Sequence, residues 1–301
     1  MSVRFGVSPI AWINDDLPAL GGDTPLESVL NDAHEVGFSG IELGGKFPRD
    51  PKVLAPLLRR HQLALVGGWY SAGLLSRSAD AEIEALQSHL TLLKAMDCKV
   101  FILAETSNSI HGDQARPLSA TPRLADSKWH EFGRKLTDVA DYIEQAGLRF
   151  AYHHHLGTVV ESQRDVDHFL EFTGRSVGLT LDTGHATLGG VDPLALIRRH
   201  PQRIAHVHCK DVRLSVFGRV QAEGWSFLRG VLSGMFTVPG DGDLEFKDVM
   251  QALAQIGYAG WIIVEAEQDP AVANPRSYAA LGLKTLRREA SAADLGEVEY
   301  S

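Results

Sequence analysis

The sequence predicts a single (β/α)8 TIM barrel, and three observations carry that expectation. Eight short apolar runs alternate with segments of helical periodicity along the 301 residues. No shift in composition and no low-complexity stretch marks a linker, so 1–301 is expected to form one domain. No Gly-x-Gly-x-x-Gly follows the first run, which argues against an open doubly wound sheet.

The first run, Val3 to Ser8, gives way to the loop Pro9-Ile-Ala-Trp12-Ile-Asn14-Asp15-Asp16. Thr24 is expected to cap a helix with Pro25 at its first position, and Gly37 to stop it. Gly40 to Leu43 is the second strand, followed by Gly44, Gly45 and Lys46. Pro51 to His61 is a helix with Val53, Leu54, Leu57 and Leu58 on one face. Leu63 to Val66 is the third strand, ending in Gly67-Gly68-Trp69-Tyr70, and a long amphipathic helix spans Ala79 to Met96. Lys99 to Leu103 is the fourth strand and runs out into Glu105. The loop that follows, 106–122, has a length usually reserved for lids.

Lys128 to Gln145 reads as helix, Leu148 to Tyr152 as the fifth strand entering His153-His154-His155, and Arg164 to Phe172 as helix. Val177 to Asp182 and Ile204 to His208 are the sixth and seventh strands, with Asp192-Pro193 opening a helix between them. A second insertion, 212–236, carries Trp225, Phe227 and Leu228 on a short covering helix. Gly240-Asp-Gly-Asp243 lacks the other ligands of a calcium loop and reads as a turn. Phe246 to Ile256 is helical, Trp261 to Val264 is the eighth strand, Arg276 to Arg287 is the last helix, and the tail 290–301 is expected to fray.

Composition narrows the function classes. The formal net charge of −9 disfavours a nucleic-acid partner. Two cysteines, Cys98 and Cys209, without a C-x-x-C pair rule out a disulfide framework. Cys209 is expected to face the outer helices as a packed residue. No signal-peptide pattern is present and no apolar run approaches the roughly 18 residues of a membrane span, so the cytoplasm is the expected location. The expected partner is a small molecule, with no membrane; a homo-oligomer is compatible with the sequence.

In a TIM barrel the strand C-termini form the active face. Here they carry Trp12, Glu42 with Lys46, Trp69, Glu105, His153 with His155, Asp182 with His185, His206 with His208 and Lys210, and Glu265 with Glu267. One such end is unremarkable; their concurrence is not. Asp182, His208 and Glu265 form an oxygen-rich set suited to Mn2+, Co2+, Zn2+ or Mg2+. A fourth ligand is expected from His153 on strand five or from Glu161 folding back from the loop. Lys46, Lys210 and Glu267 are acid–base candidates. Trp12, Trp69 and Trp225 are candidate pocket walls, with simple packing favoured for Trp225.

The stretches Pro9-Ile-Ala-Trp12-Ile-Asn-Asp-Asp16-Leu-Pro18, Glu42-Leu-Gly-Gly-Lys46-Phe-Pro48, Tyr152-His-His-His-Leu-Gly-Thr158, Leu181-Asp-Thr-Gly-His185 and His206-Val-His-Cys-Lys-Asp211 resemble the xylose-isomerase-like barrels, the sugar isomerase/epimerase superfamily. Within it, the chain is most similar to the myo-inosose-2 dehydratases of inositol catabolism. The superfamily places a metal-binding glutamate on strand five, and this chain has His153 there. His155 matches a family histidine near the substrate. The resemblance implies a requirement for Mn2+ or Co2+. It also implies loss of water from 2-keto-myo-inositol (scyllo-inosose) to give a trihydroxycyclohexane-1,2-dione. That chemistry would pass through an enediolate, with His155, Lys210 and Glu267 as candidates for base and acid. Trp12, Glu42 and Lys46 would position ring hydroxyls, with Trp69, Glu105, His185 and His206 as further substrate-side groups. The loops 106–122 and 212–236 would exclude water. The alternative is a metal-dependent ketose isomerase or epimerase on the same barrel.

Overall fold

The computed structural model describes residues 2–298. Eight parallel strands close on themselves: Ser2–Val7, Gly40–Leu43, Ala64–Ala72, Val100–Glu105, Arg149–His153, Gly178–Asp182, Ile204–Cys209 and Trp261–Val264. The ring shuts where the first strand pairs with the eighth, Arg4 opposite Trp261 through Val7 opposite Val264. The apolar runs are buried on both sides, as parallel strands under a helical layer require. Cys209 and Cys98 are both buried, Cys209 completely.

Helices follow the strands and are set by local chemistry. Asp50 accepts from the Lys52 backbone to start Pro51–Arg60, and Asp192 accepts from Leu194 and Ala195 to start Pro193–Arg199. Ser162 and Asp165 form a capping box for Gln163–Phe172. Gly37 ends Leu26–Val36 in the left-handed region, at φ 99°.

Four details differ from the sequence reading. The first helix begins at Leu26 with Pro25 at its cap, and Thr24 does not cap it. The third strand runs on to Ala72, so Trp69 lies within it rather than after it. The 79–96 helix is broken at Leu86 into Ala79–Ala85 and Gln87–Ala95. The chain beyond Ala290 does not fray at once: the last helix extends from Pro275 to Ala292, and Gly296–Glu297 then pairs with Ser2–Val3. Residues 299–301 of the tail lie outside the described residues.

The 212–236 insertion holds two helices, Leu214–Glu223 and Phe227–Leu232, at whose two ends Asp211–Val212 and Phe236–Thr237 pair antiparallel. Trp225, Phe227, Leu228, Met235 and Phe236 give it a small core of its own, shared with Leu118 of the 106–122 loop and Leu156. The Gly240–Asp243 turn wraps a carboxylate: Asp211 accepts from the backbone of Val212, Gly240, Gly242 and Leu244. Among the described residues no helix is long and apolar enough to cross a membrane.

Candidate active site

Strand register assembles the site. Asp182 and His208 are direct partners across strands six and seven, and Thr180 and His206 are partners one layer below. His208 is opposite Ile263 on strand eight, which puts Glu265 on the same face two residues on. His153 is opposite Thr180 at the end of strand five. One nitrogen or oxygen each from His153, Asp182, His208 and Glu265 therefore lie within 4.8 Å of one another. His208 Nδ1 is 2.9 Å from Glu265 Oε2, 3.3 Å from His153 Nε2 and 3.8 Å from Asp182 Oδ2. All four side chains are buried.

The donor set suits a divalent cation. Asp182 spends Oδ1 on the His185 backbone N–H, 2.8 Å away, at the start of helix Thr183–Leu188. Its Oδ2 is buried and accepts no hydrogen bond, the Lys210 ammonium coming no nearer than 3.6 Å, a costly state for a carboxylate oxygen that a directly bound cation would relieve. His153 donates Nδ1–H to the His154 carbonyl at 2.8 Å and so turns Nε2 to the cluster. Two imidazole nitrogens and two carboxylate oxygens match borderline divalent metals such as Zn2+, Mn2+ and Co2+.

Behind the cluster lies a completely buried lysine. Lys210 Nζ is 2.7 Å from Glu265 Oε1, 3.5 Å from Glu267 Oε2 and 3.6 Å from Asp182 Oδ2. Burial pushes its pKa down, but the three carboxylates more than reverse this and hold it charged. Gly184 makes room for its stem, since a Cβ there would lie 2.8 Å from Lys210 Cγ. Burial alone would push Glu265 up; the His208 and Lys210 charges win and hold it well below the usual carboxylate range. Burial pushes the Glu267 carboxyl up to about 7, with Lys210 pulling the other way.

A cavity of about 380 Å3 opens over the cluster, lined by His153, His208 and Glu265 together with Glu42, Trp69, His155 and Glu267. Asp15, Asp16 and Arg49 also line it. His155 Nε2 stands 3.6 Å from Glu267 Oε1, and its Nδ1 donates to the Leu156 carbonyl at 2.7 Å. Phe227 of the insertion packs on the His155 ring at 5.2 Å, and Phe236 on the His185 ring at 5.0 Å.

Several sequence expectations are corrected. Glu161 does not join the cluster; its Oε2 accepts from the Gly157 N–H and the Thr121 hydroxyl, pinning the two loops together. Trp12 is buried away from the cavity with its indole N–H on Asp32. Lys46 reaches out to the carbonyls of Gly22 and Thr24 rather than inward. Glu105 is spent on the backbone N–H groups of Leu74 and Ser107. Trp225 is packed, as favoured for it, under the guanidinium groups of Arg219 and Arg229. Lys210, His185 and His206 are buried and do not line the cavity: Lys210 Nζ meets His185 Nε2 at 2.9 Å, and His206 meets Glu42.

The sequence reading missed Asp15, Asp16 and Arg49 in the cavity wall, and His111, whose Nε2 is 3.5 Å from Asp16 Oδ1 and whose ring is 4.9 Å from that of His155. Asp15 and Asp16 lie in the Pro9–Pro18 stretch that carries the family resemblance; the signal shared by all four was their position in loops after the first, second and fourth strands, on the active face.

Comparison with known proteins agrees with this geometry. A family model described as a xylose isomerase-like TIM barrel matches residues 30–289. The chain is 46% identical to the rhizopine catabolism protein MocC of Rhizobium meliloti, over 97% of its own length and 90% of that protein. It is 40% identical to the inosose dehydratase of Geobacillus thermodenitrificans, over 95% and 96% of the two chains. A xylose isomerase domain protein from Alicyclobacillus acidocaldarius superposes with a TM-score of 0.68 at 18% identity, covering 97% of this chain and all of that one. The resemblance drawn from the strand ends thus extends over nearly the whole chain, and the protein belongs to the xylose isomerase-like TIM barrel family.

Proposed function

We propose that this protein is a metal-dependent hydro-lyase that removes water from 2-keto-myo-inositol to give a trihydroxycyclohexane-1,2-dione. The carrying observation is the pairing, on one cavity wall, of a four-ligand cluster with the His155–Glu267 couple 3.6 Å apart. Kinship with inosose dehydratases supports the reaction class and the substrate.

His153, Asp182, His208 and Glu265 would hold a divalent cation, Mn2+ or Co2+ by family resemblance. Bound there, it would supply Lewis acidity, which makes the proton α to a ketone easier to remove. The remaining work falls to the chain. His155 presents an unprotonated Nε2 to the cavity because its single proton is committed to the Leu156 carbonyl. It takes the α-proton. Glu267, whose carboxyl burial pushes up to about 7, delivers a proton to the departing β-hydroxyl. Lys210 keeps Glu265 and Glu267 in place from behind. Asp15, Asp16 and Arg49 bind ring hydroxyls, and Trp69 covers the ring. Phe227 and Phe236 keep water from the back of His155 and His185.

The reaction run in D2O tests this reading against a ketose isomerase or epimerase. A dehydratase gives a product one water lighter than the substrate by mass spectrometry. An isomerase or epimerase returns species of unchanged formula carrying deuterium at carbon, and that outcome would overturn the proposal.

A further inference from the structure

Glu42 was expected to hold a substrate hydroxyl, and its surroundings assign it other work. Its Oε1 is 2.9 Å from His206 Nε2 and 3.0 Å from His208 Nε2. The three residues form a buried chain from one barrel layer to the next, since His206 sits one layer below His208. His208 alone touches both Glu42 and the Asp182 cluster: Nε2 faces Glu42, and Nδ1 faces Glu265, His153 and Asp182.

A neutral imidazole carries one proton, and the hydrogen bond at one nitrogen decides which nitrogen is left bare. Carboxylates stand at both nitrogens of His208, Glu42 at Nε2 and Glu265 at Nδ1; Glu265 belongs to the ligand cluster and Glu42 does not, so a cation in the cluster would displace the Nδ1 proton and leave the Nε2 proton to Glu42. Nδ1 is then free to donate its lone pair, on the side where the other three ligand atoms converge. We infer that Glu42 is a positioning residue, which fixes the Nε2–H form of His208 and so presents Nδ1 to a divalent cation. His206 serves Glu42 in turn, because its own N–H holds the carboxylate oxygen in place between the two rings. Carboxylate–histidine–metal arrangements of this kind raise ligand basicity, and their loss typically costs about 10–100-fold in metal affinity.

A second cation held by Glu42, His206 and His208 is the competing reading of the same atoms. It would need both Nε2 atoms bare. Two contacts of 2.9 and 3.0 Å on one carboxylate oxygen are instead the distances of N–H donors.

The inference rests on the metal reading proposed above, and one experiment separates their failures. Metal-free wild type and Glu42→Gln are titrated with Co2+ alone, without substrate, following the visible ligand-field bands. The expected result is one Co2+ per chain in the wild type and a Kd about 10–100-fold weaker in Glu42→Gln. In the Zn2+-loaded wild type, 15N NMR should show His208 with a protonated Nε2 and a metal-shifted Nδ1. Equal Kd values in the two proteins, with only KM raised in the variant, would overturn the positioning role and return Glu42 to substrate binding. Two Co2+ per wild-type chain, falling to one in Glu42→Gln, would overturn it in favour of the second site. No Co2+ binding by the wild type would sink the metal reading, and this inference with it. Should circular dichroism show Glu42→Gln unfolded, Glu42→Asp carries the same test, since its shorter carboxylate withdraws from Nε2 and should likewise weaken binding.

Discussion

His155 and Glu267 face each other across 3.6 Å at the edge of the ligand cluster, and neither belongs to it. They come from the ends of strands five and eight, three places apart in the ring, and meet because the curved sheet turns both strand ends toward the barrel axis. Replacing either should therefore damage proton transfer without emptying the metal site. His155→Gln and Glu267→Gln are each expected to lower kcat by about 10²–10⁴-fold. Metal affinity, measured by calorimetry, should change little. A loss of metal binding equal to that of Asp182→Asn would show that the couple is part of the ligand set.

Glu161 and His153 were rivals for one role, and their variants should behave oppositely. His153→Ala removes a cluster nitrogen and is expected to abolish metal binding while the barrel stays folded, as judged by circular dichroism. Glu161→Ala removes the acceptor that ties the Gly157 N–H to the Thr121 hydroxyl. It should leave metal affinity intact and cost about 1–3 kcal/mol of stability, read from denaturant unfolding. Weakened metal binding in Glu161→Ala would restore the loop glutamate as a ligand.

The difference between these two residues shows how much of the site was legible. Parallel strands end on one face and side chains alternate, so Asp182, His208 and Glu265 follow from counting along three apolar runs. No such period governs a loop. Glu161 could fold back or not, and hydrogen bonds to two other loop groups decided it. Lys46 and Trp12 lie past their strands and turned outward or into packing for the same reason. Asp15, Asp16 and Arg49 entered the cavity from loops that gave no directional signal. Trp69 reached the cavity because strand three is longer than its apolar run: the glycines at 67 and 68 extend a strand instead of ending one.

Acid stability offers a check far from the cluster. His89 packs against Tyr70 and Phe101 and bonds the Gly68 carbonyl at 3.1 Å. Burial pulls its pKa from 6.5 down to about 4. Below pH 6.5 the unfolded chain thus binds a proton that the folded one refuses, and stability falls as pH drops from about 6.5 to about 4. His89→Gln keeps a donor for Gly68 without a titrating ring. It should remove about 2–3 kcal/mol of the wild type's loss between pH 7 and pH 4 in urea unfolding curves. Parallel pH profiles for the two proteins would show that His89 titrates normally in the fold.

Lys210 joins stability to the site. It is a fully buried cation among Asp182, Glu265 and Glu267. Lys210→Met leaves three buried carboxylates without it and should destabilise the metal-free protein by about 3–5 kcal/mol. Saturating Mn2+ should recover part of that loss, because a cation bound only by the folded state stabilises it. Equal melting temperatures for metal-free wild type and variant would show that the lysine does not hold the carboxylates.

The central claim is that the His153–Asp182–His208–Glu265 cluster and the His155–Glu267 couple together dehydrate a cyclic polyol ketone. It is tested most directly by adding Mn2+ to metal-free protein and 2-keto-myo-inositol while following ultraviolet absorbance. The account requires no change before the metal, a rise as the dione forms after it, and arrest on chelation. A rise that needs no metal and survives chelation would contradict it.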